Sequence, residues 1–316
     1  MSAQTVAPPP EAQPDIIISP QLDDAAESDD GQPSNSIVFR VTTTLISVPV
    51  AVIDASGQGE PNLRSEDFVL KEDGKPVEIS QFLSSSRLNI ALLFDVSSSV
   101  RSNFELEQNA AIDFLKKIWK EGDTVTIISF AERPELQLKN GDNLQEAMWT
   151  LRQLRPTGVT TSFFDAVTLA VRILEESTSE GTRQAIVVIS DGADNTSDGG
   201  FASTLSEIQR QGAVFYAINP THEAIVRLNA VIRKGQEYLT TFAEATGGAV
   251  FVSDDMRDME NIFNKILVEL RAQYLLLYYS LIPQMDGKFH TIEVSIPGRP
   301  ELKVRARTGF LAVSRN

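Results

Sequence analysis

The chain has 316 residues, a formal net charge of −15, 42% hydrophobic residues, two His and no Cys. At roughly 100–200 residues per domain this length supports one large or two modest domains with a sizeable core, and the missing Cys excludes disulfides, thiol nucleophiles, zinc ribbons and iron–sulfur clusters. The acidic balance, with no long basic run, argues against nucleic acid as a partner, and no stretch approaches the ~18 consecutive apolar residues of a membrane span.

Residues 1–35 hold seven Asp and Glu, six Pro and no Lys, Arg or His, the composition of a disordered acidic leader. Ile16-Ile17-Ile18 is its one apolar island, and it lacks the basic and apolar regions of a signal peptide. Residues 36–86 change to alternating β-branched stretches that predict three or four antiparallel strands. Asp73-Gly74 marks a hairpin between two of them, and Pro49 places its stretch at an edge, a bulge or a bend.

From residue 88 short apolar strands alternate with amphipathic helices. LNIALLFDVSSS reads as a buried strand entering a turn, followed by a helix near 103–120 with Ala111, Phe114, Leu115 and Ile118 on one face. DTVTIISFA is a strand, a helix follows near 143–154, and SFFDAVTLAVRILEES is a further helix. TRQAIVVISDG is a very apolar strand. STLSEIQRQG is a helix stopped by Gly212, AVFYAINP a strand, QEYLTTFAEATGG a helix with a Gly stop, AVFVSD a strand, and 256–273 the last helix. Strands buried on both faces with helices between them predict a doubly wound, Rossmann-like, mainly parallel α/β sheet.

After residue 274 strands return in YLLLYYSLIP, GKFHTIEVSIPG and LKVRARTGFLAVS, with Asp286-Gly287 as a turn. Three or four strands alone bury little surface, so the expectation is one accessory antiparallel β-sandwich-like domain made of 36–86 and 275–316 and interrupted by the α/β domain at 87–274.

In open α/β sheets the ligand site lies at the carboxyl ends of the strands, where the connection reverses. Three polar clusters fall there: Asp95, Ser97 and Ser99 after the first strand, Thr160-Thr161 before the helix at 162, and Asp191 after AIVVIS. Hydroxyls and carboxylates without His or Cys make an oxygen-donor site suited to Mg²⁺, Mn²⁺ or Ca²⁺. Asp95 and Asp191 balance a divalent charge. If the hydroxyls coordinate directly, the ion keeps a position that an Asp or Glu of a partner protein can fill.

FDVSSS, TTSFFDAV and ISDG resemble the von Willebrand factor type A (VWA) domain and its metal-ion-dependent adhesion site (MIDAS). EDFVLKEDGKPVEISQF, AEATGGAVF, ELRAQYLLLYY and DGKFHTIEVSIP with VRARTGFLA are similar to bacterial VWFA-related proteins common in Acidobacteria. The resemblance implies metal ligands at Asp95, Ser97, Ser99, Thr161 and Asp191. Val159-Thr160-Thr161 stands where the family usually has Gly-Gly-Thr, so Thr160 is a rival to Thr161. The resemblance further implies a metal-dependent protein-binding module and a periplasmic or extracellular location. The helix at 256–273 is its candidate for movement coupled to the site. An intracellular scaffold or ATPase-associated adaptor is the alternative. A hydrolase is the lesser reading, since there is no G-x-S-x-G, Walker A or G-x-G-x-x-G sequence.

Asp194, Asn195, Ser197 and Asp198 do not fit EF-hand spacing and read as a polar turn. His222 and His290 show no HExxH or Asp partner pattern and read as surface or strand residues. Phe114 and Trp119 read as core or rim, and KVRAR as the exposed face of a strand.

Overall fold

Apolar strands that alternate with amphipathic helices build the centre of the protein. The computed structural model describes residues 44–84, 87–97, 104–179, 181–252, 258–282 and 286–313; the leader with Ile16-Ile17-Ile18, and Ser99, lie outside them. The first strands are β1 (Leu45–Ile53), β2 (Val69–Glu72), β3 (Lys75–Val77) and β4 (Gln81–Leu83). There follow β5 (Leu88–Asp95), α1 (Phe104–Ile118), β6 (Thr124–Phe130), β7 (Pro134–Gly141), α2 (Leu144–Gln153), α3 (Phe163–Glu176), β8 (Arg183–Ile189), α4 (Phe201–Gln211) and β9 (Val214–Asn219). Then come α5 (Glu223–Leu228), α6 (Ala230–Thr246), β10 (Ala249–Val252) and α7 (Met259–Arg271), and finally β11 (Gln273–Tyr279), β12 (Phe289–Ser295), β13 (Lys303–Ala306) and β14 (Gly309–Leu311).

Among the described residues the central sheet has six strands in the order β10-β9-β8-β5-β6-β7, parallel except for β7. All residues of β5 and β8 are buried, as strands covered on both faces must be. Residues of α1, α2 and α7 pack on one face with Phe94, Leu92 and Val187. Residues of α3, α4 and α6 pack on the other with Leu93, Val188 and Phe215. The predicted glycine stops are in place: Gly212 and Gly247 close α4 and α6 in the left-handed conformation.

Three elements depart from the sequence expectation, the first being the short helix α5, for which no helix was read. The antiparallel edge strand β7 was not anticipated, because its PELQLKNG sequence is mostly exposed and polar, as edges that avoid further pairing are. The helix read from QEYLTTF begins earlier, at Ala230, where the Asn229 side chain accepts the Val231 and Ile232 N–H groups.

Strands from both ends of the chain pair with one another in two further antiparallel sheets, ordered β13-β1-β11-β4 and β14-β12-β2-β3. Val48, Val50, Leu70, Tyr274, Leu276, Tyr278, Ile292 and Phe310 fill the space between them. Asp73 and Gly74 form the β2–β3 turn, both at positive φ, as a primed hairpin turn requires. Pro49 lies in a strand with neighbours on both sides. The β13 ladder reaches only Val50–Ile53, however, so Pro49 itself is paired with β11 alone, which leaves room for a residue without an N–H.

KVRAR is not a solvent-facing row. Arg305 forms two hydrogen bonds of 2.8 Å with the Glu269 carboxylate of α7. Arg307 is buried and donates to the carbonyls of Gly309 and, on α4, Gln209. These strands lie against the helices of the central sheet, so the two arginines meet carboxylate and carbonyl oxygens, while Lys303 stays exposed. Arg183 joins the same seam by donating to Leu270 and Gln273 carbonyls at 2.6 and 3.2 Å.

His290 lies in a strand, as expected, but has aspartate partners that the sequence pattern did not show. It is buried on β12, with Nδ1 2.7 Å from Asp73 and Nε2 3.0 Å from Asp286. Asp73 is 217 residues away in sequence, beyond any local pattern. Burial of the imidazole disfavours its charge, but the two carboxylates outweigh this and raise its pKa above 6.5. They are themselves lowered below 3.8, chiefly by their hydrogen bonds to His290. The clamp is therefore complete between pH ~3.8 and ~6.5 and weakens as pH rises through the folded imidazole's value. Thermal unfolding of wild type and His290→Gln at pH 5.5 and 8.5 is expected to show a wild-type advantage of a few degrees at pH 5.5 that shrinks at pH 8.5; an equal gap at both would refute the clamp.

Candidate functional site

The site is built where β5 and β8 leave the sheet side by side. Their parallel register sets Phe94 opposite Ile189, so Asp95 and the Ser190-Asp191 pair emerge together. The chain leaves β5 towards β6 with α1 on one face and leaves β8 towards β9 with α4 on the other, which makes this crevice the topological switch point.

Asp95 is 1% exposed. Its Oδ1 accepts the Ser97 N–H at 2.9 Å and its Oδ2 accepts the Ser190 hydroxyl at 3.0 Å. The Ser97 side chain is buried and hydrogen-bonds the same carboxylate. Asp191 accepts the Ala193 N–H at 2.9 Å, and the Ser190 hydroxyl accepts the Gly192 N–H at 3.1 Å. Gly192 has φ +74°, and a Cβ on it would lie 2.6 Å from the Gly235 carbonyl of α6. A Cβ on Gly235 would in turn meet the Asp191 carbonyl at 2.4 Å. Two glycines in contact thus let α6 press on the turn that carries Asp191.

The segment between α2 and α3 closes over this pair. Thr157 and Gly158 donate to the Val96 carbonyl at 2.9 and 3.2 Å, the Val159 N–H donates to Glu132 at 2.7 Å, and the Ser162 N–H donates to Ala131 at 2.7 Å. Thr161 is buried, and its N–H donates to the Asn195 side chain at 2.9 Å while its carbonyl accepts the Asn195 N–H at 3.0 Å. The structure therefore brings Asp95, Ser97 and Asp191 together and ties Thr161 to Asn195, four residues after Asp191; Ser99 lies outside the described residues. Thr160, the rival to Thr161, has a buried hydroxyl without a hydrogen-bond partner, as does Ser162.

The polar turn after ISDG positions this segment. Asp194 accepts the Phe164 N–H at 3.1 Å and the Ser197 hydroxyl, and Asp165 accepts the Asp198 and Gly199 N–H groups at 2.9 and 3.0 Å. Their oxygens are committed to backbone and hydroxyl donors that hold the start of α3.

The electrostatics are those of like charges gathered in a dry place. Burial first, and then the neighbouring charge of Asp191, push the Asp95 carboxyl up to about 6 against the hydrogen bonds that favour its charged form. Burial likewise raises Asp191. A third acid, Glu107 on α1, is pushed up to about 8 by burial and by the charge of Asp95. Sequence reading passed over Glu107, although the signal was present. It is three residues after Phe104 and four before Ala111, an acid on the stripe that otherwise faces the core. Ser190 and Gly235 were also passed over, since each acts only through a partner distant in sequence.

Buried acids grouped without a base need a proton or a cation. Carboxylates and hydroxyls with two orphaned buried hydroxyls in the closing segment form an oxygen-donor set that fits a hard divalent ion.

Residues 90–193 match the family model of the von Willebrand factor type A domain, a span that includes Asp95, Ser97, Ser99, Thr161 and Asp191. No curated protein matches the sequence. Among solved structures, proximal thread matrix protein 1 from the mussel byssus aligns with a TM-score of 0.50 and 19% identity over 67% of this chain and 51% of its own. A second structure of that protein, with a zinc-occupied MIDAS motif, aligns at 0.49 and 18% over 63% and 49%. The conserved hypothetical protein BatB from Bacteroides thetaiotaomicron aligns at 0.45 and 17% over 57% and 97%. The chain spans about half the length of the mussel protein it matches. Residues 90–193, from β5 to the turn after β8, are thus similar to a von Willebrand factor type A domain, and the six-stranded sheet with its two helical layers shares its fold with the mussel protein.

Proposed function

We propose that this chain is a metal-dependent protein-binding module. Asp95, Ser97, Ser99, Thr161 and Asp191 hold Mg²⁺, or Mn²⁺ or Ca²⁺ in its place, and an Asp or Glu of a partner protein completes the ion's coordination. The observation that carries this reading is the pairing of buried Asp95 with half-buried Asp191 at adjacent strand ends, where the charge of Asp191 adds to the cost of ionising Asp95. Thr160 is the alternative hydroxyl from the closing segment, on the strength of its orphaned Oγ1.

The ion, when bound, supplies Lewis acidity towards a carboxylate oxygen. The chain's residues set how it is presented. Ser190 and the Ser97 N–H orient the two oxygens of Asp95, so the carboxylate enters the site in one rotamer. Asn195 fixes the backbone at Thr161, and the Gly192–Gly235 contact fixes the turn at Asp191. Such a site is preorganised on strand ends and needs little reordering when a partner arrives. An interaction role is favoured over hydrolysis because the groups gathered here are carboxylates, hydroxyls and backbone amides. His222 caps α5 and His290 is clamped in the flanking sheets.

Titrating Mg²⁺ or Mn²⁺ should raise the thermal midpoint of the wild type, with about 2.7 kcal/mol of stabilisation at a hundredfold excess over Kd. The Asp95→Ala, Ser97→Ala double variant should show no such rise, and identical responses would sink the site assignment. Gly235→Ala tests the geometry without touching a ligand. Its methyl group meets backbone atoms of the Asp191 turn, so a loss of about 1–3 kcal/mol of stability together with weaker Mn²⁺ binding in calorimetry is the expected result.

A further inference from the structure

Glu107 is fully buried on the first turns of α1, and neither of its carboxylate oxygens has a hydrogen-bond partner. Its stripe neighbours Phe104, Ala111 and Phe114 belong to the apolar core. A carboxylate left unpaired in such surroundings costs several kcal/mol unless a proton or a cation offsets it. The charge that acts on it is that of Asp95, another acid. Nothing in helix formation or core packing requires an acid at this position, where a Met or Leu would fill the same stripe without the penalty.

The surroundings also fix where Glu107 stands. Among the described residues no three acidic side chains converge closely enough to hold one ion directly, so Glu107 is not counted as a third direct ligand beside Asp95 and Asp191. We propose that Glu107 is a positioning residue of the metal centre: its carboxylate accepts hydrogen bonds from water or hydroxyl groups in the shell of a divalent cation held at Asp95, and adds a third negative charge that strengthens cation binding. This rests on the metal-binding reading above. Partners one layer out from the ligands ordinarily orient the first layer and set its affinity, and their loss weakens metal binding by about 10–100-fold. The arrangement also gives the orphaned oxygens of Glu107 a use that the apolar packing around them does not.

The test is calorimetric titration of Mn²⁺ and of Mg²⁺ alone into wild type, Asp95→Ala, Glu107→Gln and Glu107→Asp, with the exposed neighbour Glu105→Gln as control. Glu107→Gln is expected to weaken Mn²⁺ binding at least tenfold while its melting temperature without metal equals or exceeds that of the wild type, because a buried acid has been removed. Glu107→Asp should recover part of the affinity, and Glu105→Gln should match the wild type. The electron paramagnetic resonance spectrum of bound Mn²⁺ should also differ in Glu107→Gln, a change that a purely structural role would not produce. Wild-type Mn²⁺ affinity and spectrum in Glu107→Gln, with binding abolished in Asp95→Ala, would overturn this inference and leave the metal site standing. Absence of divalent binding by the folded wild type would overturn both.

Discussion

The carboxylate of Asp95, held out of water at the end of an apolar strand, is the constraint around which this protein is arranged. Seven of the eight residues of β5 precede it in a strand buried throughout, and the charged group arrives where the sheet ends. Every nearby segment answers to it. The Ser97 N–H and the Ser190 hydroxyl bond its two oxygens, and the adjoining Val96 carbonyl collects the Thr157 and Gly158 amides of the closing segment. Because β5 lies inside the sheet with β8 and β6 on either side, these contacts come from three different crossovers. The site is therefore a property of the sheet order and not of any one loop.

The flanking sheets solve a different problem with the same economy of charge. Their strands come from opposite ends of the chain, and β1 with β11 forms the pairing that brings those ends together. The seam against the helices is made by arginines. Arg305 takes both oxygens of Glu269, Arg307 and Arg183 donate to carbonyls, and Arg271 meets Asp123 at 2.7 Å. A planar guanidinium with five donors suits this use, because it satisfies several oxygens from one buried position. Glu269 ties α7 to the flanking sheets through Arg305, and Arg271 ties the same end of the helix to the α1–β6 turn, opposite from Met259 and its core contacts.

How much of this was legible in the sequence depends on the range of each interaction. The buried strands, the glycine stops at 212 and 247, the Asp73-Gly74 hairpin and the Asp-x-Ser pattern are local, and periodicity or turn chemistry finds them. β7 was not legible, since an exposed edge strand lacks the apolar alternation that marks a strand. The KVRAR row misled because alternation shows which residues share a face and not what that face meets. His290 and its two aspartates, Ser190 beneath Asp95, and the glycine pair at 192 and 235 depend on partners that only the fold supplies. Glu107 is the intermediate case. Its position on a core stripe is visible in the sequence, but the apolar surroundings and the nearby Asp95 that make it unusual are not.

The acidic composition takes on a definite meaning at this level. Seven of the acidic residues lie in the leader and others are paired with Arg or Lys, as Glu269, Asp123 and Glu175 are. Asp95, Asp191 and Glu107 differ from these pairs: burial raises the proton affinity of each, and no base is among the groups that act on them. In water such groups would repel one another only weakly, screened over about 8 Å at physiological salt. Inside the protein the same charges act across a poorly polarisable medium, and each raises the proton affinity of the next. A divalent cation and a proton are then alternative solutions to one problem, the stabilisation of negative charge that the fold has sealed from solvent. On the proposed reading, a fold that gathers acids in this way favours the ion wherever the pH is high enough to strip the protons, and an oxygen-only donor set suits a hard ion.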